Sequence, residues 1–167
     1  MLATTTGLTG WVYLTLLSLH LLCVIVGFGG VILNGIWGSA QSRLTGEPAA
    51  ALGAPLETVS RIAEMFILAV PVFGVATLLT SGGVYTFRAP WVSASLALYV
   101  VGVVVSFGML QPAARKLGPL TATLPVGAPE RVSLEKRIGA TSGVLHLVLL
   151  LVVLLMVFGP TTSWLAS

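Results

Sequence analysis

The stretch Trp11–Leu33, WVYLTLLSLHLLCVIVGFGGVIL, runs 23 residues without one charged side chain. As a helix rising 1.5 Å per residue it is about 34 Å long, enough to cross the ~30 Å of hydrocarbon in a bilayer. Three further uncharged windows follow at Met65–Ser81, Pro90–Leu110 and Ile138–Phe158. The whole chain carries the same message: 56% of its residues are hydrophobic, only 8% are charged, and the mean hydropathy is +1.04. A soluble domain devotes about a quarter of its residues to charge. These features define an all-α polytopic membrane protein, a single domain over residues 1–167 with spans at roughly 11–33, 56–81, 90–111 and 134–159 and no soluble domain. Short links between the spans favour an antiparallel four-helix bundle of up-down-up-down order, with the first and last helices as neighbours.

No basic residue precedes the first window, and its apolar run exceeds the 7 to 15 residues of a signal-peptide core, so it is expected to stay in the mature protein. The positive charges set an orientation. Arg43, Arg61, Arg115, Lys116, Arg131, Lys136 and Arg137 fall on one side and Arg88 alone on the other, which by the positive-inside rule puts both termini outside the cytoplasm, in the inner (plasma) membrane. Trp11, Tyr13, Tyr85, Trp91 and Trp164 then form an outer aromatic belt, and Trp37 marks the inner boundary. The net charge of +3 follows from this topology; no basic stripe interleaves with aromatics, so nucleic acid is not a partner. The bilayer is, together with other membrane subunits or a second copy of the chain.

Helix-end chemistry refines the spans. Pro55 and Glu57 suit the first turn of the second helix, with Leu56, Val59, Ile62, Ala63 and Phe66 at helical spacing after them, and Pro71 should kink it. In the last helix Ser133 can cap the start, with Glu135 in the first turn.

The chain has two histidines, His20 and His146, and both sit in apolar runs. His20 lies about 14 Å below Trp11 and His146 about 12 Å above Ile138, so across ~30 Å the imidazoles fall within about 4 Å of one level. Two imidazoles at one depth on antiparallel helices suit the axial positions of a six-coordinate haem b. Gly27 and Gly139 each lie two turns from their histidine, on the cytoplasmic side, and would clear a slot for the porphyrin, with Arg61, Lys136 and Arg137 near its propionates. A structural reading stands beside this one. Gly139 and Gly143 form a small-xxx-small pair that explains helix packing without a cofactor, and the histidines can hydrogen-bond Ser18, Thr77, Ser93, Ser95, Ser106 or a backbone carbonyl. His20 and Cys23 share a helix face and form a weaker copper site, since imidazole and thiolate suit Cu(I); Met1, Met65, Met109 and Met156 do not converge at one depth to help it. Glu64 pairs most simply with Arg61, one turn earlier. The chain has no Asp, no phosphate-binding glycine loop, no nucleophile elbow and no HExxH motif, and no catalytic residue is identified.

The segments LHLLCVIVGFGGVI (19–32), VPVFGVATLLTSGGVYTFRAPWVSASLALYVVG (70–102), QPAARKLGPL (111–120) and LMVFGP (155–160) resemble a four-helix integral membrane family known only as domain-of-unknown-function family twenty-two sixty-nine. The most distinctive part is Y-x-F-x-x-PW from Tyr85 to Trp91. That family is distantly similar to the CopD-like copper-resistance proteins and to the HemJ-type protoporphyrinogen oxidases, which share a histidine on the first helix. The resemblance implies a metal- or porphyrin-related role for His20. The third helix here has neither the Lys nor the His of the HemJ-type pattern.

Together these readings make the chain a haem b-binding or accessory subunit of membrane electron transfer. The alternatives are a cofactor-free packing or assembly subunit of a larger membrane complex, and a copper or porphyrin handling protein.

Overall fold

The computed structural model describes residues 7–161; Met1 and Trp164 lie outside them. Every regular element in the described residues is helical: α1 (Trp11–Gln41), α2 (Glu47–Leu79), α3 (Pro90–Val105), a π-helical turn (Ser106–Leu110), α4 (Gln111–Thr123), α5 (Pro129–Phe158) and a closing 3₁₀ turn (Gly159–Thr161). The π turn joins α3 to α4 without a break in the helical path, so four helices are long and apolar enough to cross a membrane.

The helices outrun their apolar windows. Where Pro55 and Glu57 are expected to open the second helix, the same chemistry operates one site earlier: Gly46, at φ 65, ends the loop, and Glu47 and Pro48 form the first turn. Pro55 lies inside α2. Likewise α5 starts at Pro129–Glu130 rather than at Ser133 and Glu135, and Ser133 donates its hydroxyl to the Glu130 carbonyl from within the helix. Proline fits a first turn because the amide it lacks has no intrahelical partner there. The third span continues past residue 111 to Thr123. Its π turn closes with the Gln111 amide on the Ser106 carbonyl. The next residue, Pro112, has no N–H to offer, so the ladder is interrupted where the register changes.

Packing divides the bundle into two hairpins, α1 with α2 and α3–α4 with α5. On α1 the inward positions Tyr13, His20, Gly27, Asn34 and Gln41 recur every seven residues, with Leu16, Cys23 and Gly30 between them. On α2 Ala49, Leu56, Ala63, Val70 and Thr77 do the same. This is the 3.5-residue period of a left-handed coiled-coil seam. Small residues bring the backbones together: a Cβ on Gly30 would lie 2.6 Å from the Ala63 Cβ, and one on Gly27 would lie 2.9 Å from Ile67 Cγ1. The seam of α5 runs Arg131, Leu134, Ile138, Thr141, Leu145, Val148, Val152, Leu155 and Gly159, alternating three and four. Val148 and Leu145 approach Gly102 of α3, and Gly159 makes room for the Trp91 ring.

The first and last helices are not packed neighbours, contrary to the expectation from a symmetric bundle. α1 spends its contact surface on α2, and α5 spends its own on α3 and α4. The aromatic belt is also thinner than expected. Trp11 is exposed, but Trp91 and Tyr13 are buried, and Trp91 stacks edge-on with Tyr85 at 5.5 Å.

Among the described residues, two hydrogen bonds join the hairpins. In the membrane, the Tyr99 hydroxyl donates to the Ile67 carbonyl at 3.0 Å. That carbonyl is four residues before Pro71, so it has no helical amide to accept from. At the basic end Arg131, 0% exposed, donates from Nη2 to the Ser42 carbonyl at 2.6 Å and from Nη1 to the Leu124 carbonyl at 3.3 Å, and its Nε meets Glu135 Oε1 at 2.8 Å. Ser42 and Leu124 are the C-caps of α1 and α4, so one guanidinium meets two negative helix ends and a carboxylate.

Candidate functional site

His20 occupies a seam position and is half-buried between α1 and α2. Its Nδ1 lies 2.9 Å from the Val70 carbonyl. A carbonyl can only accept, so Nδ1 carries a proton, and in a neutral ring the lone pair lies on Nε2. Gly74 supplies the space: a Cβ there would fall 3.0 Å from His20 Cε1 and 3.1 Å from Nδ1. The ring thus sits on the bare backbone of α2, one turn from the Pro71 break.

His146 is one residue past Leu145 on the α5 seam, hence about 100° around the helix, and it is exposed. Its Nδ1 is 2.6 Å from the Ser142 carbonyl of its own helix. This fixes the same tautomer, with Nε2 again bare. Both histidines take a backbone carbonyl, one of the partners the structural reading named, and neither uses a serine or threonine hydroxyl.

The structure does not bring the two histidines together. Counted from the Arg131–Ser42 contact, His20 stands about 33 Å along α1 and His146 about 22 Å along α5, so their depths differ by about 10 Å. The equal-depth expectation set each histidine against a ~30 Å slab from opposite faces, whereas α1 runs on to Gln41 and leaves His20 22 residues from Ser42, against the 15 that separate His146 from Arg131. The partners differ as well. His20 faces α2, whereas His146 overlooks the basic-end half of α1 across a groove of about 830 Å³ lined by Ile32, Gly35, Ile36, Ser39, Ala40, Arg43, Leu44 and His146.

The glycines divide the same way. Gly27 clears no slot for a ring, because Ile67 fills the space beside it. Gly139 and Gly143 are open, with nothing within 4 Å of an added Cβ, and they lie on the uncovered side of α5 with His146. Cys23 is buried in the α1–α2 seam. Among the described residues no three His, Cys, Asp or Glu side chains converge on one point. Arg61 pairs with Glu57 at 2.6 Å, both well exposed, rather than with Glu64.

Sequence reasoning missed Arg43. It counted only as a topological charge, yet it stands at the mouth of the groove, exposed, with no acidic partner among the described residues. The available signal was its spacing from Ile32, Ile36 and Ser39, which continues one face of α1 into the turn after Gln41.

No family model, curated protein or solved structure matches the chain. What the geometry itself defines is a multi-pass membrane protein of two antiparallel helical hairpins.

Proposed function

We propose that the chain is a small accessory subunit of a membrane electron-transfer assembly in the inner (plasma) membrane, with both termini outside, and that it carries haem b. The observation behind this reading is the shared tautomer of the histidines. Each Nδ1 meets a backbone carbonyl, the arrangement that orients metal-ligating imidazoles; in a neutral ring this leaves Nε2 bare, and of the two only His146 is exposed. A structural imidazole needs the same partner for its N–H, so the haem reading turns on whether Nε2 takes iron. Haem would supply one-electron chemistry at this site; the chain supplies a neutral nitrogen ligand and an environment with little water.

The test is a reduced-minus-oxidised visible spectrum of the detergent-purified protein, with a pyridine haemochrome assay on the same sample. A sharp α-band with near-stoichiometric haem b supports the reading. A colourless protein from haem-supplied cells removes it.

One observation favours a second reading, a cofactor-free assembly subunit. The side of α5 away from its seam is uncovered, with Val144, Leu147, Leu150 and Val157 about half exposed or more beside the open Gly139 and Gly143. A helix of a partner subunit or of a second copy would fit there, since small residues permit close backbone approach. Native mass spectrometry from detergent distinguishes the two readings: a colourless chain found only in stable assemblies supports the second.

A further inference from the structure

Building on the haem reading, we infer that the porphyrin sits in the groove between α1 and α5 rather than in the α1–α2 seam, with His146 Nε2 as the iron ligand from this chain and Arg43 meeting a propionate. The seam has no room for a planar macrocycle. Ile67 lies against Gly27, Ala63 against Gly30, and Gly74 against the His20 ring, each within van der Waals distance of an added Cβ or closer. A porphyrin there would have to part the best-packed helix pair of the molecule.

The groove is built differently. It is an open groove of about 830 Å³, wide enough for a tetrapyrrole to lie against its floor, and its lining is mostly apolar with a few polar groups, as in sites for such ligands. Gly35 and Ser39 keep its floor low, Ile32 and Ile36 supply apolar contact, and His146 forms the opposite wall. From Ile32 to Arg43 the floor is about 16 Å long, comparable with the long edge of a porphyrin and its propionates. The charge pattern selects an acid-bearing amphiphile. His146 stands at the apolar end and Arg43, without a carboxylate of its own, at the basic end, where a long side chain can reach back along the groove. Haem has the matching polarity, with iron at its centre and two carboxylates on one edge. His20 is about 10 Å off in depth and faces another helix, so the sixth iron position is left to a group outside this chain.

The purified full-length protein in dodecyl maltoside is titrated with haemin and followed at the Soret band. The wild type is expected to saturate at one haemin per chain. His146→Ala should weaken binding at least tenfold, whereas His20→Ala should bind as the wild type does. Should His20→Ala fail to fold by circular dichroism, His20→Gln, whose amide can still donate to Val70, takes its place. Arg43→Gln should weaken haemin three- to tenfold, the range of a charge-assisted contact near the membrane surface, and leave haemin dimethyl ester unaffected because that probe has no carboxylates. Binding lost in His20→Ala but kept in His146→Ala overturns the groove assignment and leaves the haem reading intact. An Arg43→Gln effect equal for acid and ester overturns the propionate contact. A wild type that never binds haemin overturns both the assignment and the haem reading. Haemin displaced by phosphatidylglycerol with equal ease from wild type and His146→Ala would make the groove a lipid site.

Discussion

Replacing Tyr99 with Phe should destabilise the protein only as long as residue 71 is proline. The Ile67 carbonyl accepts from the Tyr99 hydroxyl at 3.0 Å, because Pro71 cannot donate the amide that would reach it in an unbroken helix. Interhelical hydrogen bonds in membranes average about 0.6 kcal/mol and reach about 1.7. An acceptor left empty in an apolar setting adds a desolvation cost of ~1–3 kcal/mol. Tyr99→Phe in the wild type is therefore expected to cost about 1.5 kcal/mol. In a Pro71→Ala background the alanine amide takes the carbonyl, and the same change should cost ~0.3 kcal/mol or less, a coupling of about 1 kcal/mol by double-mutant cycle. Pro71→Ala itself should be close to neutral, since the new helical bond replaces the one from Tyr99. The assay is dodecyl sulfate titration of protein in dodecyl maltoside, followed by far-ultraviolet circular dichroism. Equal costs for Tyr99→Phe in the two backgrounds would refute the view that the proline creates the acceptor joining the hairpins.

Gly30→Ala should cost about 1–3 kcal/mol in the same assay, because its Cβ would lie 2.6 Å from that of Ala63 and the backbones must part. Gly139→Ala and Gly143→Ala, both facing open space, should be neutral or slightly stabilising through helix propensity alone; if they weaken an assembly at unchanged stability, that face is occupied by a partner. Arg131→Leu should cost ~3 kcal/mol or more, since it strands the Glu135 carboxylate and the Ser42 and Leu124 carbonyls, and Arg131→Lys should recover only part, having no planar fork to serve all three. Reporter fusions at residues 126 and 167 should give opposite topologies, with residue 126 cytoplasmic; the reverse result would contradict the orientation taken from the lysine and arginine distribution.

The spans were legible in the sequence because hydropathy integrates over twenty residues and tolerates local error. Helix ends were less so, and for a single reason: several segments carry start signals in duplicate. Glu47–Pro48 and Pro55–Glu57 are both valid openings, as are Pro129–Glu130 and Ser133–Glu135, and only tertiary contact decides. Arg131 does so for α5, since its bonds to Ser42 and Leu124 require the first turn to be folded against the ends of α1 and α4. The π turn has a local signal, the Gly108 and Pro112 that flank its end, but Pro112 alone is equally compatible with a simple helix start.

Helix pairing was the part that hydropathy could not supply. In water the buried face of a helix is the apolar one, but in a bilayer every face is apolar, so hydrophobic periodicity no longer marks the seam. Residue size and polarity mark it instead. The α1 seam collects His20, Cys23, Gly27, Gly30, Asn34 and Gln41 at alternating three- and four-residue steps apart from its last, while most Leu and Ile residues of the same helix, Leu16 of the seam apart, face outward. Read that way, His20 belongs to a helix interface by register alone. His146, one step off the Leu145–Val148–Val152 row of α5, belongs outside it. Depth compares two residues along the membrane normal only, whereas ligation of one iron by both also needs them to face each other around the bundle. In this chain register separates what depth had joined, and that separation turns His146, not His20, toward open space.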